Sequence, residues 1–151
     1  MRRGRMPYLN RAFFESIATS MPESLVIVLA RLGGRPIATA ICFRSATALY
    51  GRYWGSAADF HSLHFEACYY QGIEYCIEQG LQLFEPGTQG EHKIARGFSP
   101  TATWSCHWLR DPALRRAVET FLKRETRQVD AYMDYLDEHV PYRREAQAPP
   151  R

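Results

Sequence analysis

The sequence has no apolar run approaching the roughly 20 residues that a membrane-spanning helix needs, so no membrane span is expected. Its first residues, 1–5, lead into no apolar segment, which argues against a secretory signal peptide. Cysteine is scarce: there are four in 151 residues and no C-x-x-C pair. This spacing argues against a disulfide framework and predicts reduced cysteines in a cytoplasmic protein.

Strong charge of one sign is also missing, because the net charge is only +3. The positive excess lies at the two ends of the chain: residues 1–21 and 141–151 hold seven arginines against Glu15 and Glu145. A nucleic-acid-binding domain concentrates basic residues on one folded face. The sequence therefore predicts no specific DNA binding.

Apolar and aromatic residues are plentiful, at 46% and 13% of the chain. A chain of this length buries about 70% of its unfolded surface, which is enough for an ordinary core. No internal repeat or linker interrupts it. We predict one domain over residues 1–140, followed by a disordered basic tail over 141–151.

Hydrophobic periodicity predicts a mixed α/β chain. Apolar residues at helical spacing indicate helices over 8–21, 62–79 and 111–139. Gly80 is placed to end the second helix in a left-handed conformation, and Asp111 followed by Pro112 is typical of the start of the third. Short runs of strand-forming residues indicate strands over 25–30, 37–43, 48–54, 81–84 and 101–109. The Gly-Gly turn after the first run predicts an antiparallel hairpin, and Trp104 and Trp108 are expected on the core face of the last strand.

Residues 85–98, here called the polar segment, contain more ionisable groups than a simple connection between strands needs. If residues 91–96 form a short helix, Lys93 and Arg96 share one face and can stabilise a phosphate or a developing oxyanion. The exposed N–H groups before that helix could bind an anion or a carbonyl. The alternative is an ordinary loop with solvated or internally paired charges.

Three side chains of the second predicted helix are further candidates. His64 and Glu66 have the chemistry of a general acid or base, and the alternative for each is a structural role, such as a neutral His64 imidazole that bonds a loop carbonyl. Tyr70 falls outside the apolar stripe of this helix and could offer its hydroxyl to a ligand. His61, His64 and Cys68 are spaced like metal ligands, but no fourth ligand is evident, so no metal is assigned.

Three stretches carry a more specific signal, and they are residues 49–55, 63–72 and 84–98. They resemble the bacterial FemAB-like family of GNAT-related proteins, described as peptidoglycan biosynthesis or recognition proteins. The resemblance extends over about residues 4–125. It implies a GNAT-like α/β acyltransferase fold, with a mixed, mostly antiparallel twisted sheet flanked by helices and a long C-terminal helix.

The resemblance also implies roles for individual residues. Lys93 and Phe98 match the lysine and the following aromatic residue of the family, where the lysine is proposed to steady the acceptor or the reacting carbonyl. Lys93, His64 and Glu66 are thus the candidate catalytic residues. The candidate substrate-binding residues are Arg96, Tyr70, Glu85, Gln89, Gly90, His92 and Tyr53.

The donor and the architecture of the whole protein stay open. Ordinary GNAT enzymes carry an acetyl-CoA-binding signature, R/Q-x-x-G-x-G/A. Residues 51–58 occupy that place in this chain and lack the signature, which argues against acetyl-CoA as the donor. An acyl-CoA or an aminoacyl-tRNA are the alternative donors. Fem proteins join two GNAT-like domains, and this chain resembles the C-terminal one.

Three hypotheses follow. The first is an enzyme that transfers an acyl or aminoacyl group to an amine of a peptidoglycan precursor or a related metabolite. The second is a non-catalytic recognition module that binds a cell-wall fragment or a small anion. The third is a scaffold domain that forms a homodimer or pairs with a second GNAT-like domain.

Overall fold

A computed structural model of the chain describes residues 9–87 and 90–141. Their contacts divide the chain into unit 1 (Met1–Thr88) and unit 2 (Gln89–Arg151). The single domain over 1–140 stays a prediction. Of the predicted tail, only Pro141 is among the described residues.

Unit 1 is built on one sheet whose strand order is β1-β2-β3-β4. The strands β1 (Leu25–Leu32), β2 (Arg35–Arg44) and β3 (Ala48–Ser56) form an antiparallel meander. The short strand β4 (Leu83–Glu85) joins β3 in parallel. The predicted class, a mixed and mostly antiparallel α/β fold with a long C-terminal helix, is confirmed and is consistent with a GNAT-like fold.

The turn of the first hairpin follows directly from its glycines. Gly33 and Gly34 have φ values of +55° and +79°, a combination that glycine adopts without strain and that a type I′ turn requires. Two irregularities bend the meander. The register shifts between Ala30 and Arg31 in the β1–β2 pair, and between Ile41 and Cys42 in the β2–β3 pair. Such bulges increase local twist and redirect side chains.

Helices cover the connections of unit 1. Helix α1 (Arg11–Ser20) begins after Asn10, whose side chain accepts a hydrogen bond from the Phe13 amide at 2.9 Å. The second predicted helix consists of α2 (Leu63–Phe65), a π turn (Glu66–Tyr70) and α3 (Gln71–Gln79). As predicted, Gly80 ends it in the left-handed conformation, at φ +64°.

The core of unit 1 lies between the sheet and α3. Leu49 on β3 is fully buried and clusters with Cys42 and Cys76. The partly buried residues packed against this cluster are Val26, Tyr75, Leu81 and Phe84. Phe84 lies so close to Gly72 of α3 that a β-carbon at position 72 would come within 2.4 Å of its ring. Glycine therefore sets the distance between α3 and β4.

Unit 2 contains a 3₁₀ helix (Glu91–Arg96) and the helix α4 (Pro112–Glu138). The start of α4 is as predicted: Asp111 accepts a hydrogen bond from the Leu114 amide at 2.8 Å, and Pro112 is the first helical residue. None of the 27 residues of α4 is buried. Among the described residues, no helix is both long and apolar enough to cross a membrane.

The predicted fifth strand over 101–109 is wrong. These residues have no regular secondary structure, and Trp104 and Trp108 are 88% and 78% exposed rather than buried. The alternation of apolar and polar residues produced the strand signal. A strand, however, is stable only when its backbone pairs with a neighbour. Within residues 9–87 and 90–141, the sheet ends at β4.

Candidate functional site

A notch opens in unit 1 where β3 and β4 separate. The parallel pairing covers only Ala48–Tyr50 of β3 and ends at Glu85 of β4. Pro86 follows immediately and has no N–H group with which to continue the ladder. Beyond Tyr50, the register shift against β2 leaves Arg52 as the extra residue of a bulge. Strand divergence and bulge together leave space beside the second half of β3.

This space is a cavity of about 220 Å³. Its walls come from the central strands β2 and β3, from the start of the second helical segment, and from the chain after β4. The lining residues are Ala40, Ile41, Cys42, Gly51, Arg52, Tyr53, Trp54, His64, Cys68, Tyr69, Pro86 and Gly87. We call it the β3 cavity.

One end of the β3 cavity depends on a close approach between two backbone segments. A β-carbon at Gly51 would lie 3.3 Å from Cα of Pro86, and one at Gly87 would lie 3.5 Å from the Gly51 carbonyl oxygen. Gly87 has φ +90°, which side-chain-bearing residues rarely adopt. The glycines thus allow the chain after β4 to pass directly over β3.

His64 reaches the β3 cavity from α2 and packs among aromatic rings. Its ring is edge-on to Trp54, Phe65 and Tyr69, at centroid distances of 5.5, 5.6 and 5.4 Å. Aromatic packing of this kind fixes the orientation of the imidazole. The π turn that follows α2 brings Cys68 and the buried Tyr69 to the same cavity. Such turns occur frequently at functional sites.

Tyr53 of β3 is a half-buried residue of the same lining. Its ring is edge-on to Phe13 and Phe14 of α1, at 6.4 and 5.8 Å. The guanidinium carbon of Arg52 lies 5.6 Å from the Tyr53 ring centroid. The structure thus brings two predicted site residues, Tyr53 and His64, to one cavity.

The two cysteines of the β3 cavity are thiols at neutral pH. Burial, and secondarily the neighbouring Cys42, raises the pKa of Cys68 to about 12. Burial, and secondarily Cys76, raises the pKa of Cys42 to about 11. A thiol with so high a pKa is a poor nucleophile. These cysteines line the wall as small apolar groups, and the four cysteines are free thiols in the described part of the chain.

Two other candidates lie on the π turn outside this lining. Glu66 is exposed, and its carboxylate accepts a hydrogen bond from Gln71 Nε2 at 3.0 Å. Tyr70 is 47% exposed. Their proposed roles stay predictions. Among the described residues, no cluster of three or more His, Cys, Asp and Glu side chains is arranged to hold a metal ion.

Residues Glu91–Arg96 of the polar segment form a short helix, which is the condition on which the predicted roles of Lys93 and Arg96 depend. Lys93 is 8% exposed and is the only buried charged side chain among the described residues. Gly90 precedes this helix with φ +114°, and Gly97 ends it with φ +88°. A lysine is rarely buried unless its ammonium is paired, so its place in the fold is closely determined. A direct role in binding or catalysis stays a prediction.

The other candidates of the polar segment are distributed around this helix. Arg96 Nη1 donates a hydrogen bond to the His92 carbonyl oxygen, and the ring of His92 lies against Gly90. The Glu91 carboxylate accepts a hydrogen bond from the Tyr132 hydroxyl of α4, which raises the pKa of Tyr132. Glu85 is exposed at the end of β4. Gln89 lies outside the described residues.

A family model matches residues 1–144, and its description is peptidoglycan biosynthesis/recognition, FemAB-like. The chain belongs to the FemAB-like family. No curated protein and no solved structure matches it. The match extends further in both directions than the resemblance over residues 4–125.

Most of the wall of the β3 cavity could not be predicted from the sequence. In the sequence, nothing distinguishes Trp54 and Tyr69 from ordinary core residues, or Pro86 and Gly87 from a flexible connection to the short helix. The available signal was the proline immediately after β4, which must end strand pairing. The bulge at Arg52 has no clear sequence signature, because it depends on the register between β2 and β3.

Proposed function

We propose that this FemAB-like chain takes part in transferring an acyl or aminoacyl group to an amine of a peptidoglycan precursor or a related metabolite. The β3 cavity, where β3 and β4 separate beside His64, carries the proposal. In this account it receives the acyl end of the donor.

The size of the cavity supports this assignment. Typical cofactor and ligand pockets measure about 300–1,000 Å³. The β3 cavity, at about 220 Å³, is suited to a small acyl or aminoacyl group rather than to a whole nucleotide-containing donor. The remainder of an acyl-CoA or aminoacyl-tRNA would lie outside it. The cavity therefore leaves the choice between these two donors open.

The transfer needs two kinds of assistance. The acceptor nitrogen attacks the carbonyl carbon of the donor and loses a proton, while the thiol of CoA or the hydroxyl of tRNA leaves and takes up a proton. His64 is proposed to relay these protons, since an imidazole can both accept and donate one near neutral pH. Cys42 and Cys68 are unsuited to form an acyl-enzyme because their pKa values are raised to about 11 and 12.

Lys93 of unit 2 is proposed, independently of the β3 cavity, to stabilise negative charge that develops during transfer, as the family resemblance implies, with Arg96 in a binding role. The family resemblance and the burial of Lys93 support this. A buried ammonium is partly desolvated, which strengthens its interaction with an anion. Glu66 is retained as an alternative proton relay, and the remaining candidates are proposed to bind substrate.

The test is a transfer assay on the purified chain. Radiolabelled acetyl-CoA and alanyl-tRNA serve as donors, and a muropeptide with a free side-chain amine serves as acceptor. We expect His64→Gln and Lys93→Ala each to lower kcat by about 10²–10⁴-fold. The matched controls are His107→Gln and Lys123→Ala, which change exposed residues of unit 2. Full turnover in His64→Gln, with unchanged thermal stability, would remove the role of His64.

A recognition module is the second candidate, favoured by the rigid aromatic wall formed by Trp54 and Tyr69 around His64. Such a wall suits the face of a sugar or the apolar part of a peptide. Trp54 provides a fluorescence signal for muropeptide binding, and Trp54→Phe removes it. Saturable binding without transfer from either donor would favour this candidate over the enzyme.

A further inference from the structure

The wall of the β3 cavity carries permanent charge of one sign. Of the described residues that line it, Arg52 alone has a permanent charge, and none is Asp, Glu or Lys. Arg52 is also exposed, so it lies at an edge of the cavity that solvent reaches. A cleft lined by charge of a single sign raises the local concentration of ligands of the opposite sign. The cavity therefore favours a ligand that has a negative group at this edge.

The position of Arg52 follows from the bulge in β3. Cys42 pairs with Gly51 and Ile41 pairs with Tyr53, which leaves Arg52 without a partner residue on β2. Its guanidinium carbon lies 5.6 Å from the centroid of the Tyr53 ring, and that ring packs edge-on against α1. The bulge thus brings the arginine to the cavity wall, and the cation–π contact restricts its side chain.

The hydrogen-bonding groups of Arg52 are available to a ligand. Within residues 9–87 and 90–141, its side chain forms no hydrogen bond, and no carboxylate, including that of Glu85 at the end of β4, forms an ion pair with it. A cation–π contact uses none of the five N–H donors of a guanidinium. These donors form a planar fork that matches the two oxygens of a carboxylate. Arg52 is therefore suited to bind a carboxylate that a ligand supplies.

We propose that Arg52 binds a carboxylate next to the reacting amine of the acceptor, an inference that rests on the proposed function of the β3 cavity. The acceptor nitrogen must approach the donor carbonyl carbon to within about 3–3.5 Å. Because the acyl end of the donor occupies the cavity in this account, the groups bonded near that nitrogen lie at the cavity edge, where Arg52 is. The phosphates of CoA are separated from the acyl carbonyl by the long pantetheine arm, so they lie farther away.

The substrate class follows from this assignment. The acceptor is an amine whose own carbon, or the next one, bears a carboxylate. The side-chain amine of diaminopimelate is of this kind, whereas the side-chain amine of lysine is not. Arginine rather than lysine at this position adds geometric selectivity, since its fork binds both carboxylate oxygens at once.

Two muropeptides that differ in one group provide the test. One contains meso-diaminopimelate, and the other contains lysine in its place and so lacks the carboxylate beside the side-chain amine. Calorimetric titration of the full chain measures both affinities. We expect about tenfold tighter binding of the diaminopimelate form, at the low end for a charged hydrogen bond because Arg52 is exposed. Arg52→Gln should bind both forms equally, and Arg52→Lys should keep part of the preference.

The matched control is Arg35→Gln, because Arg35 is an exposed arginine of β2 outside the cavity lining, and this variant should keep the full preference. Thermal unfolding verifies that each variant is folded. Equal binding of the two muropeptides by the unmodified chain overturns the inference, and so does a preference that survives Arg52→Gln. If Arg52→Gln raises only the KM of the alanyl-tRNA or acetyl-CoA donor, the arginine binds a donor phosphate and the acceptor assignment is wrong.

This test can fail separately from the transfer assay. A preference that Arg52→Gln removes, without transfer from either donor, would support the carboxylate site and contradict the acyltransferase. Transfer combined with equal binding of the two muropeptides would support the acyltransferase and contradict the carboxylate site. Binding of neither muropeptide would contradict both.

Discussion

Leu49 in unit 1 is fully buried between the sheet and α3, whereas Phe121 near the middle of α4 in unit 2 is half exposed. In the sequence, both residues lie in apolar patterns that are typical of a regular secondary-structure element. The difference arises because a sheet strand gains neighbours on both sides, while a single helix buries its stripe only against another element. Unit 1 buries apolar side chains in its core, whereas many apolar side chains of α4 are exposed.

The largest expected contrast between the units concerns thiol reactivity. Cys68 in unit 1 has a pKa of about 12, against an ordinary value of 9.0, so its thiolate fraction near pH 8 is lower by roughly 1,000-fold. Cys106 in unit 2 is exposed. We expect iodoacetamide to modify Cys106 long before Cys68, as followed by peptide mass spectrometry. Equal rates at the two cysteines would contradict the burial of Cys68.

The same raised pKa gives a pH dependence whose direction can be stated. Between pH 9 and 12 the unfolded chain loses the Cys68 proton while the folded chain retains it. The free energy of unfolding therefore decreases as the pH rises through this window, and the contribution is fully present below pH 9. The variant Cys68→Ser should show a shallower decrease in alkaline urea titrations.

The next largest expected effect is the decrease in the free energy of unfolding when a buried leucine is replaced by alanine. Leu49→Ala should lower the free energy of unfolding by about 2–5 kcal/mol, because it leaves a cavity in the core of unit 1. Leu114→Ala, at a position of α4 that is 52% exposed, should change it by less than about 1 kcal/mol in dilute solution. Urea titration of both variants gives the comparison. Similar losses would show that α4 is as well packed as the sheet.

A smaller effect is expected where α3 meets β4. Gly72→Ala forces a β-carbon to within 2.4 Å of the Phe84 ring, and the resulting strain should cost about 1–3 kcal/mol. Gly55→Ala is the control, because nothing lies within 4 Å of the added carbon. Thermal unfolding followed by circular dichroism separates the two. A stable Gly72→Ala variant would mean that Phe84 can move aside without loss.

Much of the fold followed from local signals. The sequence correctly indicated three features that depend only on neighbouring residues. They are the hairpin turn at Gly33-Gly34, the end of α3 at Gly80 and the start of α4 at Asp111-Pro112. The strand over 101–109 failed because strand formation depends on a partner elsewhere in the chain. The π turn at Glu66–Tyr70 was missed for a related reason, since it interrupts an otherwise uniform helical pattern.

The sequence by itself determined the order of the strands through β4, the family and the start of α4, since turn residues, helix caps and motifs act over short distances along the chain. Only the tertiary structure decided that Pro86 and Gly87 lie beside β3, that Tyr53 and His64 share a cavity, and that the tryptophans after the polar segment are exposed. These outcomes depend on strand register and on contacts between residues far apart in sequence, and periodicity carries no information about either.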